Sequence, residues 1–187
     1  MINMEYTVFS ASNRPSETDF AAFYRILALG LPEDERRSFQ GQQALLDDPH
    51  YRLVLGYEDG KVRVGFAWWE IDGWLYGEHL AVEPELRNGG IGSRVVEKFV
   101  KAPGMPVVFE VEPEGATKMA SRRIGLYRRL GFVLNDYDYL QPPLNKGDAP
   151  CVLKLMSSAP LSPAEFIRVR ELLYRVVYHT TVEELCN

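Results

Sequence analysis

The chain has 187 residues, 46% hydrophobic and 25% charged, with a net charge of −5. This composition fits one globular domain with a real core, or at most two small ones, and its acidic balance argues against a broad nucleic-acid-binding face, which needs cations to neutralise phosphates. Two cysteines, Cys151 and Cys186, and three histidines, His50, His79 and His179, are too scattered for a metal or redox motif. The thiols are expected free and the chain cytoplasmic. No apolar run approaches a membrane span, and MINMEYTVFS lacks the basic-then-apolar order of a signal peptide.

Residues 5–10, EYTVFS, predict a first strand. Ser16 with Asp19 forms a helix-opening cap, and Phe20, Phe23, Ile26 and Leu27 recur at helical spacing before Gly30. Pro32 opens a more polar helical stretch that ends near Asp48-Pro49. Residues 51–58, 62–71 and 74–82 predict three strands in a meander, joined by the hairpin turns Asp59-Gly60 and Asp72-Gly73. A helix follows from Ser93 to Lys101, with Val95, Val96, Phe99 and Val100 on one face. The strand at 106–112 comes one helix later, a spacing that favours a parallel crossover pair with 74–82. Thr117 to Leu130 is helical, with Gly131 as its stop. Strands are expected at 132–140 and 151–156, joined by a loop. Ser162-Pro163-Ala164-Glu165 is a capping box with proline at the first helical position. The helix it opens carries Phe166, Val169, Leu172, Leu173 and Val176 as a stripe, expected to pack on the chain's own domain or on a second copy, as a homodimer.

The segment LRNGGIGSRVV, residues 86–96, places Gly89, Gly90 and Gly92 between a strand and a helix. Glycine costs roughly 0.5–1 kcal/mol against alanine in regular structure, so the missing side chains must serve something. A helix N-terminus behind a strand and a glycine turn is an anion cradle, and Arg87 can add a charged contact or pair elsewhere. Neither familiar phosphate loop fits. Gly92 is followed by Ser-Arg rather than Lys-Ser/Thr, and Val95 stands where a dinucleotide fingerprint needs its third glycine. The plain alternative is a turn that only caps a helix.

LAVEPELRNGGIGSRVV resembles the acetyl-CoA loop of the GNAT superfamily of N-acyltransferases, whose Arg/Gln-x-x-Gly-x-Gly/Ala pattern is matched by Arg87, Gly90 and Gly92. RRIGLYRRLGFVL, residues 122–134, is similar to the later family helix that carries a tyrosine and ends in Leu-Gly-Phe. Two motifs in the right order are more specific than either alone. The resemblance covers roughly residues 6–157. It implies an α+β fold, a mixed and largely antiparallel central sheet flanked by helices, here with an extra C-terminal helix. The organisation expected is a transferase domain at 1–157 and a helical extension at 158–187. Acetyl-CoA is the implied co-substrate, without a metal. Its pyrophosphate would lie on Arg87, Asn88, Gly89, Gly90, Ile91, Gly92 and Ser93, and its pantetheine arm would pair with the main chain of Leu80 and Val82 between splayed strands.

The resemblance also assigns chemistry. Tyr127, four residues before Gly131, stands where the family's active-site tyrosine stands and becomes the proton donor to the departing thiolate. Glu110, in FEVE, is the first choice of base, with Glu112 on the same strand face. Glu78 competes from the other strand, with His79 expected on the opposite face. Two departures are visible: Ala120 stands where the family often has asparagine, and the link from Glu110 to Tyr127 is longer than usual. Arg122, Arg123, Arg128 and Arg129 form a solvated basic face or a phosphate contact. Tyr137, Tyr139 and Gln141 line an acceptor pocket or pack the sheet.

The function these readings imply is acetyl transfer to an amine, small molecule or peptide, with neither nucleic acid nor membrane as partner. The alternatives are a coenzyme A-binding module without catalysis, and a transferase for longer acyl groups or hydroxyl acceptors.

Overall fold

The computed structural model of the chain describes residues 4–185; Cys186 lies outside them. Two compact units divide at Met105/Pro106.

In the first unit, β1 (Glu5–Phe9), β2 (Tyr51–Glu58), β3 (Lys61–Ile71) and β4 (Trp74–Val82) form an antiparallel meander in that order. The two hairpins turn at Asp59-Gly60 and Asp72-Gly73, where all four residues have positive φ, the primed-turn geometry that matches strand twist. β2 and β3 are buried along most of their length, which is why they read as nearly continuous apolar runs. Helix α1 (Glu17–Ala28) begins where Ser16 Oγ accepts the Asp19 N–H at 3.1 Å, and it buries Phe20, Phe23, Ile26 and Leu27. It lies close against β3: a Cβ at Gly65 would sit 2.2 Å from Phe23 Cδ2. Glycine in mid-strand is therefore what admits the helix.

The polar stretch after Pro32 is not one helix. A 3₁₀ turn at Glu33–Glu35 ends with Arg36 extended, at φ −143° and ψ 150°. Ser38 then caps a new helix, α2 (Phe39–Ala44), by accepting the Gly41 N–H at 3.1 Å, and a second 3₁₀ turn follows at Leu45–Asp47. A serine offering its side-chain oxygen to the backbone favours such a restart. Beyond the glycine loop, α3 (Ile91–Val96) starts earlier than Ser93 and passes into a π-turn at Glu97–Lys101. Ile91, Val95, Val96 and Val100 are buried.

In the second unit, β5 (Val107–Val111), β7 (Cys151–Ser157) and β6 (Val133–Gln141) pair antiparallel in the order β5-β7-β6. Helix α4 (Lys118–Arg129) opens on Thr117, whose Oγ1 accepts the Ala120 N–H at 2.9 Å. In β6 the register jumps between Asn135 and Tyr139. Asn135 is buried and secures the break. Its amide donates to the Leu155 carbonyl (3.0 Å) and Ser157 Oγ (2.8 Å), and its Oδ1 accepts the Leu161 N–H at 2.9 Å.

Helix α5 (Pro163–Val176) opens with the capping box: Ser162 Oγ accepts the Glu165 N–H, and the Glu165 carboxylate accepts the Ser162 N–H at 2.8 Å. Phe166, Val169, Leu172 and Leu173 are buried as the stripe requires. Val176 is half-buried, and Tyr174 and Val177 take its place inside. Tyr137 stacks on Phe166 at 4.5 Å and donates to the Leu161 carbonyl, while Tyr174 donates to the Leu140 carbonyl. A short helix, α6 (Val182–Leu185), follows that the sequence patterns do not announce. No helix among the described residues is long and apolar enough to cross a membrane.

Candidate active site

The glycine loop belongs to the first unit, and its entry is pinned from two sides. Glu83 is buried at the end of β4 and forms an ion pair with Arg25 of α1. Arg87 turns back, so that its Nε donates to the Val82 carbonyl at 2.9 Å. The chain then takes left-handed geometry at Asn88 (φ 74°) and at Gly90 (φ 72°, ψ 8°), the N-cap of α3. A residue with a Cβ is strained at Gly90, and here glycine lets the backbone turn into the helix. Arg94 reaches back and donates to the Gly89 carbonyl at 3.2 Å. No side chain caps α3. The amides of Ile91, Gly92 and Ser93 have no acceptor among the described residues. N–H groups at a helix start, with the positive end of the helix dipole behind them, are of the kind that can take up an anion.

On β4, Leu80 and Val82 are half-buried and pair across to Phe66 and Val64. The ladder is interrupted one turn earlier: Ala67 faces His79 while Trp68 faces Gly77. Glu78 is thus the extra residue of a β-bulge, a device that re-aims a side chain. The bulge interrupts the regular alternation at Glu78, so a period of two does not by itself fix which way that side chain points.

Glu78 is aimed at Arg37, and the two side chains are 2% and 8% exposed. Burial alone would raise the Glu78 pKa. The Arg37 guanidinium and the charge on His79 outweigh it and hold the carboxyl below its ordinary value. Glu78 is therefore an ionised, paired carboxylate. Its Oε2 and the Trp69 indole N–H are both buried; they fall short of ideal hydrogen-bond geometry, yet the indole still adds to the hold on the ionised carboxyl. Arg37 owes its place to the break in the helical stretch, where Tyr24 donates to its carbonyl at 2.9 Å.

In the second unit, Glu110 is held by three donors. Tyr139 donates its hydroxyl to Oε1, Gln141 gives Nε2–H to Oε2 at 2.7 Å, and Tyr178 donates to Oε2 at 2.6 Å. Bonds of this kind to a charged acceptor are short and strong. Burial first, and then the Glu110 charge, push the Tyr139 pKa well above the usual phenol value, so it stays a donor. Tyr139 and Gln141 meet at this carboxylate, whereas Tyr137 goes to Phe166. Glu112 serves the start of α4 instead, accepting from Thr117 Oγ1 at 3.1 Å and pairing with Arg123 at 3.3 Å. Arg128 pairs with Glu114.

Tyr127 is 5% exposed. Its ring stacks on Phe109 at 4.1 Å and meets the edge of Phe132 at 6.0 Å. Its hydroxyl makes no hydrogen bond among the described residues. Burial, partly offset by Arg123, pushes its pKa up to about 12. The ring is thus fixed by packing, and the phenol keeps its proton at neutral pH. Arg37 and Tyr178 are the partners that sequence reasoning missed. Tyr174 and Tyr178, four apart beside the apolar stripe, were the available sign of a polar-tipped aromatic face.

A family model for an acetyltransferase (GNAT) domain matches residues 49–134, from just before β2 to the start of β6. No curated protein matches the chain. Among solved structures, a protein assigned to the GNAT acetyltransferase family from Bacteroides thetaiotaomicron is 28% identical. The match covers 95% of this chain and 99% of that one, with a TM-score of 0.81. A GNAT family acetyltransferase from Elizabethkingia anophelis, solved with acetyl-CoA bound, is 17% identical over 83% of this chain and 97% of its own, at 0.55. The ribosomal-protein-S18-alanine N-acetyltransferase from Escherichia coli is 19% identical over 82% and 92%, at 0.57. The last two share the fold alone. The fold is the one expected, a mixed, largely antiparallel sheet flanked by helices with a further helix at the C-terminus.

Proposed function

The chain belongs to the GNAT superfamily of acetyltransferases, and from that premise we propose that it moves the acetyl group of acetyl-CoA to an amine by direct attack. The observation that carries the reading is the helix opened by left-handed Gly90 with three amides lacking acceptors. These suit the pyrophosphate of coenzyme A, with the main chain of Leu80 and Val82 serving the pantetheine arm.

An amine of ordinary pKa near 10.4 is neutral in about one molecule in a few thousand at pH 7, and only the neutral form attacks. A base must remove its proton, directly or through water. Glu110 takes that role, with Glu78, paired to Arg37, as the competing candidate. As the nitrogen bonds to the thioester carbon, backbone N–H groups steady the oxyanion. When the carbon–sulfur bond breaks, Tyr127 hands its proton to the thiolate.

Residues 1–157 form the transferase domain and 158–187 an extension to it, in a cytoplasmic protein whose acceptor is a small or peptide amine. A screen of amines for acetyl-CoA-dependent thiol release tests the proposal. Release with an acceptor that gains one acetyl group supports it, and no release from any amine, in a protein that still binds acetyl-CoA, overturns it. That second result is what a coenzyme A-binding module would give, a reading favoured by the three donors that tie down Glu110.

A further inference from the structure

We propose that Tyr178 is a positioning residue for Glu110, which makes the C-terminal extension a working part of the acceptor side; the inference rests on the transferase reading above. Tyr178 lies outside the span of the family match, yet its hydroxyl reaches Glu110 Oε2 at 2.6 Å across 68 positions of sequence. The directions of the bonds agree with one another. The Tyr178 proton goes to the carboxylate, which leaves the phenol oxygen to accept from Gln141 Nε2 at 3.1 Å. Gln141 also donates to the same carboxylate oxygen at 2.7 Å. Oε2 is thus one corner of a closed triangle, while Tyr139 fixes Oε1. Together they lock the plane of the carboxylate, the last and softest torsion of a glutamate.

The extension delivers this hydroxyl from a firm base. Asn135 holds the chain entering α5 through the Leu161 N–H. Phe166 stacks on Tyr137, and Tyr174 is bonded to the Leu140 carbonyl. At the far end the Val177 and Tyr178 amides both close on the Leu173 carbonyl, at 2.9 and 3.2 Å. The helix is fastened to the strand that carries Tyr139 and Gln141, so all three donors move together.

A base misplaced by about 1 Å can lose up to 10²-fold in rate. Tyr178→Phe keeps the ring and removes a donor from Oε2, so kcat is expected to fall about tenfold while KM for acetyl-CoA stays within about twofold. Thr180→Ala, which removes a surface bond to Glu184 two residues beyond Tyr178, leaves kcat near wild type. The deciding measurement is a double-mutant cycle with Glu110→Gln, read in kcat and in urea stability, with thermal melts to verify folding. If Tyr178 acts through Glu110, Tyr178→Phe costs nothing more in the Glu110→Gln background, and the two positions are coupled in stability. An active enzyme in which Tyr178→Phe matches wild type, or loses the same factor in both backgrounds, overturns the role of Tyr178 alone. Absence of thiol release from the wild type with every amine overturns the transferase reading and this role with it.

Discussion

Replacing Glu78 with glutamine tests the buried ion pair of the first unit. The substitution keeps the shape of the side chain and removes its charge. Arg37, whose side chain is 8% exposed, then loses the negative charge of Glu78 against its guanidinium. Breaking one side of a buried pair costs about 3–5 kcal/mol; the glutamine carbonyl still accepts one hydrogen bond, so the lower end, about 3 kcal/mol, is expected. That is a large part of the 5–15 kcal/mol typical of a domain. The pH dependence has a definite sign. Because the folded-state pKa of Glu78 is depressed, its contribution is complete above the unfolded carboxyl value of about 4.3 and is lost as pH falls through the folded value. Urea unfolding of both proteins at pH 7, 5, 4 and 3 measures this. The gap between them is expected to be widest at pH 7 and to narrow in acid, as the wild type loses the same charge. A gap below about 1 kcal/mol at pH 7, or one that does not change down to pH 3, refutes the reasoning.

Tyr127→Phe keeps the ring on Phe109 and deletes the hydroxyl, so it is expected to fold and to bind acetyl-CoA as wild type does. Its turnover should be at least about tenfold slower, and wild-type turnover makes Tyr127 a packing residue only. Truncation after Ala159 removes the buried Phe166, Val169, Leu172, Leu173 and Tyr174 and uncovers Tyr137. Aggregation or a changed oligomeric state is expected by size-exclusion chromatography; a soluble product of the same size class and unchanged melting temperature contradicts it.

The parts of the fold that were legible in sequence are those with a local chemical cause. Asp-Gly pairs fix the turns of the meander, so β2 and β4 fall where the pattern put them. Thr117 and Gly131 bracket α4, and Ser162 with Glu165 opens α5. What was not legible depends on residues far apart in the chain or on a departure from regular geometry. Arg37 and Glu78 meet across 41 positions, and Tyr178 and Glu110 across 68. Nothing in either neighbourhood records the other. Period-two reasoning also assumes an unbroken ladder, and it fails where the ladder shifts, at Glu78 and between Asn135 and Tyr139. The polar stretch after Pro32 departs from one helix for a simpler reason. Helical spacing does not reveal that Ser38 will start a second helix, yet that interruption is what brings Arg37 to Glu78.

The central claim is that the loop opened by Gly90 binds the phosphates of acetyl-CoA, and melting temperature with and without the ligand tests it most directly. At a free concentration 100 times its dissociation constant, a ligand that binds only the folded state adds about 2.7 kcal/mol, a rise of roughly 5–10 °C for a chain of this size. Gly90→Asp is the matched control. Aspartate tolerates the left-handed φ of 72° better than most side chains, and its carboxylate would stand against the phosphates. The wild type is expected to show the rise and a folded Gly90→Asp protein to show none. An equal rise in both would mean that acetyl-CoA binds elsewhere, and that the three amides of α3 serve another purpose.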